Sequence, residues 1–120
     1  MATYTTHETH QARNVSAVEM DEGDVLIIDL ATPRLAPVPW YDGGVSWTIN
    51  SSGTHSVKVE HSLMPTGFDD DKYWTEDGDS PFSASAEGSE HFRVQRIRFT
   101  ATKGSPTIVV ASATKYEVIV

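Results

Sequence analysis

Apolar residues recur at every second position through most of this chain, in short runs. Val45, Trp47 and Ile49 alternate with Ser46, Thr48 and Asn50. Beyond Asn50-Ser51-Ser52-Gly53, the residues Val57, Val59, His61 and Leu63 alternate with Lys58, Glu60 and Ser62. A period of two sets one group of side chains on one face of a strand. Two such runs across a glycine-bearing turn predict a β-hairpin. The same pattern predicts a second pair, residues 91–102 and 106–112, around Lys103-Gly104-Ser105.

Upstream, residues 14–20 alternate with Val18 and Met20 on one parity, and Glu22-Gly23-Asp24 signals a turn. The following strand, 24–31, has Leu26, Ile28 and Leu30 on one face and Val25, Ile27 and Asp29 on the other. Both faces are largely apolar, which predicts a central strand covered on both sides. Residues 114–120 are rich in Val, Ile and Tyr and predict a C-terminus pinned in a sheet. Phe92 and Val94 share one parity and Ile97 and Phe99 the other. That switch of face predicts a β-bulge near Gln95-Arg96. Pro33, Pro37 and Pro39 exclude a helix or central strand over 32–39 and favour an extended crossing. The best helix candidate, 82–92, is interrupted by serines and Gly88.

These elements predict an all-β fold, an antiparallel β-sandwich or jelly roll of about 7–8 strands. Residues 1–12 lack a periodic apolar face and are expected to form a polar N-terminal arm, either frayed or ordered on a neighbouring subunit. Residues 13–120 are expected to form a single domain, in keeping with a length of 120 residues and 38% hydrophobic content. No stretch approaches the roughly 18–20 uninterrupted apolar residues of a membrane span. The first residues, Met1 to Glu8, show no basic start or apolar run, so no secretory signal is expected.

Charge changes the picture in one place. The chain carries a formal net charge of −8, which argues against general nucleic-acid binding. Residues 69–90 hold eight acids (Asp69, Asp70, Asp71, Glu76, Asp77, Asp79, Glu87, Glu90) against Lys72. Phe68, Tyr73, Trp74 and Phe82 accompany them. A connection this long is more often a contact element than a linker. Three readings stay open for it: a solubilising loop, a partner contact anchored on Tyr73 and Trp74, or a calcium site. The EF-hand spacing fails, because counting from Asp77 puts Pro81 at the fifth position and Gly88 at the twelfth. Arg96 and Arg98 share a parity and are expected to project together, neutralising the acidic loop in cis in preference to meeting an acidic surface on another subunit.

Catalytic motifs are missing from this sequence. There is no cysteine, no Gly-x-Ser-x-Gly, no phosphate-loop pattern and no His-Glu-x-x-His. His7 and His10 are three apart in the arm, and His61 follows the parity of Val57 and Val59, as a core-edge histidine would. No enzyme activity, metal or cofactor is therefore expected.

Two segments carry a resemblance. One is Val45-Ser46-Trp47-Thr48-Ile49 with Gly53-Thr54-His55-Ser56-Val57-Lys58-Val59-Glu60. The other runs from Arg96-Ile97-Arg98-Phe99-Thr100-Ala101-Thr102 through Lys103-Gly104-Ser105-Pro106 to Thr107-Ile108-Val109-Val110. With Trp74 between them, they resemble small β-sandwich virion proteins of tailed bacteriophages over residues 45–110. The resemblance implies a particle component assembled in a bacterial cytoplasm: a capsid decoration (cement) protein, or else a tail or adhesion component. It implies the major capsid protein or another virion protein as partner and a homo-oligomer, a trimer by preference, with no nucleic acid or membrane involved. Partner contacts are expected at Tyr4 and Arg13 near the arm, at Trp40 and Tyr41, and at Tyr73, Trp74 and Phe82 in the acidic stretch. A carbohydrate-binding module is the rival reading, in which Trp40-Tyr41, Trp47 and Tyr73-Trp74 would stack on sugars.

Overall fold

The computed structural model describes residues 2–8, 12–29, 45–65, 67–90, 94–112 and 117–119. They form strands β1 (Ala2–Glu8), β2 (Ala12–Glu19), β3 (Val25–Asp29), β4 (Val45–Asn50) and β5 (Ser56–Ser62). Then follow β6 (Thr75–Glu76), β7 (Ala86–Glu90), β8 (Arg96–Lys103), β9 (Thr107–Ser112) and β10 (Glu117–Ile119). Eight of these have five residues or more, and one 3₁₀ turn, Asp71–Tyr73, precedes β6.

Two five-stranded sheets result, in the orders β1-β2-β9-β4-β7 and β10-β3-β8-β5-β6, with antiparallel pairing throughout. The protein is an all-β sandwich. The alternation read from the sequence selects the inner faces: Val18, Val45, Trp47, Ile49, Ile108 and Val110 from one sheet, and Leu26, Ile28, Val57, Val59, Ile97, Phe99 and Ala101 from the other. Trp47 meets Phe99 edge-to-face across the core at 5.6 Å. Its β7 partner is Gly88, and a Cβ there would collide with the indole. That strand is able to pair only because the position has no side chain.

Both expected hairpins are inter-sheet arches instead. β4 pairs with β9 and β7, whereas β5 pairs with β8 and β6. β8 and β9 likewise lie in different sheets, as do β2 and β3. The physical reason is that alternation reports which side chains face inward and is silent on where the backbone hydrogen bonds go. Among the described strands, only β1–β2 and β5–β6 follow one another within one sheet. Ala2–Glu8, within the expected arm, pairs along its whole length with β2 as an edge strand.

The three arches meet at one end of the sandwich. Met20 N–H donates to Pro106 O at 2.9 Å, Gly23 N–H to Ala101 O at 2.7 Å, and Gly104 N–H to Glu22 Oε1 at 3.3 Å. Gly104 has φ of 76°, and a Cβ there would strike the Thr54 carbonyl of the adjacent arch. Gly104→Ala is expected to cost about 2–3 kcal/mol from left-handed backbone strain plus overpacking. The midpoint of urea unfolding measures it.

Other expectations need correction. The single register irregularity among the described β5–β8 pairs leaves Thr102 as the extra residue, since Ser56 opposes Lys103 and Val57 opposes Ala101. At Gln95-Arg96 the described ladder begins with Arg96 opposite Ser62, and Gln95 N–H also donates to Ser62 O at 2.9 Å, while Phe92, on which the expected change of face was read, lies outside the described residues. β3 does lie inside its sheet, between β10 and β8, but only one face is fully covered: Val25 is 40% exposed and Ile27 half-buried. The stretch 82–92, set aside as a helix because of its serines and Gly88, contains β7. β10 pairs with β3, which sets Glu117–Ile119 in a sheet, as expected for the described part of 114–120. The proline-rich crossing, 32–39, lies outside the described residues.

Candidate functional site

The acidic stretch is built against the outer face and edge of the β5–β8 half of the sandwich. Beyond β6 it continues along β5: Asp77 N–H donates to Val59 O, Val59 N–H to Ser80 Oγ, and Phe82 and Val57 exchange both backbone bonds. The chain then crosses to the other sheet as β7. Asp70 accepts from Lys72 N–H and Asp77 from Asp79 N–H, so both carboxylates shape local turns.

Arg96 holds the preceding loop. It is 1% exposed, yet its guanidinium reaches three acceptors: Met64 O at 3.0 Å, Phe68 O at 2.7 Å and Asp69 Oδ1 at 2.6 Å. Arg98, two residues on and on the same face, sits opposite Glu60 in the ladder and donates to its Oε1 at 2.9 Å. It also contacts Asp71 at 3.5 Å, and Lys58 approaches Glu60 at 3.6 Å. The nearly buried Glu60 carboxylate thus has two cationic neighbours, as a desolvated charge requires. Trp74 lies over both guanidiniums, with ring-centroid distances of 4.6 Å to Arg96 and 4.3 Å to Arg98. Planar cations stack well on an indole face, and desolvation strengthens the contact. Two of the loop's acids, Asp69 and Asp71, are paired in cis by these arginines, in line with the expectation.

Next to this clasp, at the end of β5, is an apolar groove of about 380 Å³ lined by His61, Leu63, Met64, Tyr73, Thr75 and Val94. Leu63 is 66% exposed and Phe68 41%. Phe68 packs edge-to-face on Tyr73 at 5.5 Å, and Lys72 Nζ lies 5.2 Å from the Tyr73 ring centre. The described lining offers a histidine, a threonine and a tyrosine, with no carboxylate to pair for hydrolytic chemistry.

The residues expected to touch a partner separate into four groups. Tyr73 lines the groove. Trp74 and Phe82 are engaged within the chain: Trp74 is 8% exposed over the two arginines, and Phe82 fills the side of the sandwich edge-to-face on Trp47 at 5.3 Å. Tyr4 and Arg13 belong to the paired strands β1 and β2, while Trp40 and Tyr41 lie outside the described residues. For the sugar-stacking alternative, Trp47 is a core residue at 2% exposure and the Trp74 face is occupied by guanidiniums.

His55, 3% exposed, ties an arch to the β6–β7 connection through ring nitrogens near Gly53 O and Ala84 O. Among the described residues no three His, Cys, Asp or Glu side chains are grouped to hold a metal. No helix among them is long and apolar enough to cross a membrane.

Sequence reasoning missed Leu63, Met64 and Val94 as parts of one surface. The available signal was Leu63: it keeps the inward parity of Val57 and Val59 but falls just past the end of the strand, before Pro65. The fold and this surface define a β-sandwich with a clasped acidic loop beside an open apolar groove. No protein-family model matches the chain, and no curated protein matches it.

Proposed function

We propose that this chain is a structural contact protein of a bacteriophage particle, a capsid decoration protein in its specific form. The observation that carries a contact role is the contrast between the charges paired inside the acidic loop and the apolar side chains left open beside it. The loop's inner charges are spent on Arg96 and Arg98, which fix it, while Leu63, Phe68 and Tyr73 are left facing outward or lining the groove beside it. A protein that orders a loop in order to present apolar side chains gains a surface for a neighbour. The choice of a phage particle rests on the resemblance over residues 45–110. In that role the protein would bridge capsomers as an oligomer, trimeric by preference, adding modest contacts that many copies multiply. Its partner would be the major capsid protein or another virion protein.

Particles made without the gene test the mechanism. They are expected to lack this chain and to release DNA at a lower temperature than complete particles, with added protein restoring the difference. Equal thermal release with and without the protein would rule out cementing.

A further inference from the structure

Four strands end the two sheets: β1 and β7 in one, β10 and β6 in the other. A free sheet edge is a row of backbone donors and acceptors on which another strand can pair, and folded proteins usually blunt it. Three of these edges are blunted. β10 has three described residues and β6 has two. Past β6 the chain meets β5 irregularly, with Ser80 Oγ accepting from Val59 N–H and Pro81 next in line. β7 carries Glu87 and Glu90 in its five residues. β1 is the exception. Its seven residues, Ala2-Thr3-Tyr4-Thr5-Thr6-His7-Glu8, pair with β2 without a break in register and include no proline, glycine, lysine or arginine. Among the described residues no strand pairs with its outer edge. The charge is arranged to match. The arches stack β2 on β3, β9 on β8 and β4 on β5, so β1 and β10 share one side of the sandwich and β7 and β6 the other. The acidic stretch lies on the β6–β7 side, whereas residues 2–19 hold only Glu8 and Glu19 against Arg13. A chain of net charge −8 thus keeps most of that charge away from the β1 edge.

We propose that β1 pairs antiparallel with β1 of a second copy of this chain, so that the five-stranded sheets of the two copies run on as one across a twofold axis. Full overlap centres the pair on Thr5: Thr5 opposes Thr5, Tyr4 opposes Thr6, Thr3 opposes His7 and Ala2 opposes Glu8. Glu8, the only carboxylate of the strand, then lies about 20 Å from its copy, beyond the Debye length at physiological salt. Threonine and tyrosine are strand formers, and threonine pairs across strands add to the ladder. Pairing β1 with β7 of another copy fits less well. Direction alternates across the sheet, so continuing it head-to-tail sets β1 parallel to β7, the weaker pairing, and brings Glu8 to the strand that holds Glu87 and Glu90. The inference goes beyond the particle reading and does not depend on it, because it concerns the contact between copies and no other partner.

The full chain has no cysteine, so a single Thr5→Cys reports on β1 alone. Directly opposed Cβ atoms lie about 4.5–5.5 Å apart, close to the spacing a disulfide needs. Copper phenanthroline supplies the oxidant: the two thiols lose two protons and two electrons and form one S–S bond. The expected result is a concentration-dependent dimer in sedimentation equilibrium and a covalent dimer from Thr5→Cys. Ser52→Cys, an exposed control on the β4–β5 arch, should give none above background. Thr5→Lys sets two ammonium groups face to face at the centre of the pair. It should raise the dimer dissociation constant about tenfold with the far-ultraviolet circular dichroism unchanged. A chain that stays monomeric at every concentration overturns the proposal. So does an oligomer, dimer or trimer, that Thr5→Cys fails to trap or that Thr5→Lys leaves intact. Presence in particles is scored by its own experiment, and a particle protein that fails these assays loses this inference alone.

Discussion

Arg96→Ala is expected to lower the unfolding free energy by about 3 kcal/mol, from about 1 kcal/mol net for each of the two carbonyl hydrogen bonds lost and about 1 kcal/mol for the desolvated stack on Trp74. The ion pair itself contributes little of this, because the Asp69 side chain is 69% exposed and regains water when released. The cost lies in the Met64 and Phe68 carbonyls and in the Trp74 face, which lose the planar cation that satisfies them all at once. Arg96→Lys should recover only part of the loss, since an ammonium has neither the fork nor the stacking plane. Hydrogen exchange supplies the second readout. Protection at Phe68, Tyr73 and Trp74, whose amides bond within the loop, should fall well before that of β4 and β9. A change below about 1 kcal/mol would mean that the loop is held by something other than the arginine clasp.

Trp47→Ala is expected to cost about 3–5 kcal/mol, the range for emptying a large aromatic site in a packed core. The indole joins the two layers: it touches Phe99 of the opposite sheet, Phe82 at the open side and the backbone at Gly88. The surroundings cannot close over the gap without moving β7. Trp47→Phe should cost about 1–2 kcal/mol, keeping most of the apolar contact. The buried Trp47 Nε1 has no hydrogen-bond partner among the described residues, so its removal strands no acceptor. Urea unfolding of the two variants, followed by far-ultraviolet circular dichroism, checks both values. Similar losses in the two would show that the indole's contacts across the layers are not those described.

The inner faces of the sandwich were legible because period-two alternation is written locally. Val45, Trp47 and Ile49 announce one wall and Val57 and Val59 the other. The pairing of those walls was not legible. A hairpin and an arch present the same alternation around the same glycine turn, and they differ in partners supplied from far along the chain, β9 for β4 and β8 for β5. Parity also foretold that Arg96 and Arg98 would project together and meet the acidic loop. It could not show Trp74 lying across both, since that contact joins residues more than twenty apart whose spacing follows no local period. Gly88 misled in an instructive way. It reads as an interruption, yet it is the position where a neighbouring strand's indole needs bare backbone.

The site was legible in its chemistry more than in its place. An aromatic-bearing acidic stretch was read as a contact element, and of its rings Tyr73 lines the groove. Trp74 and Phe82, equally aromatic, are consumed in holding the stretch down. Composition alone does not divide anchors for a partner from anchors for the fold. That division depends on which rings meet β5, β8 and Trp47 within the chain.

The central proposal is that this chain is a structural component of a phage particle, and counting it there is the direct test. On that proposal, quantitative mass spectrometry of purified phage particles should find copies in fixed proportion to the major capsid protein. A chain absent from purified particles would contradict the account.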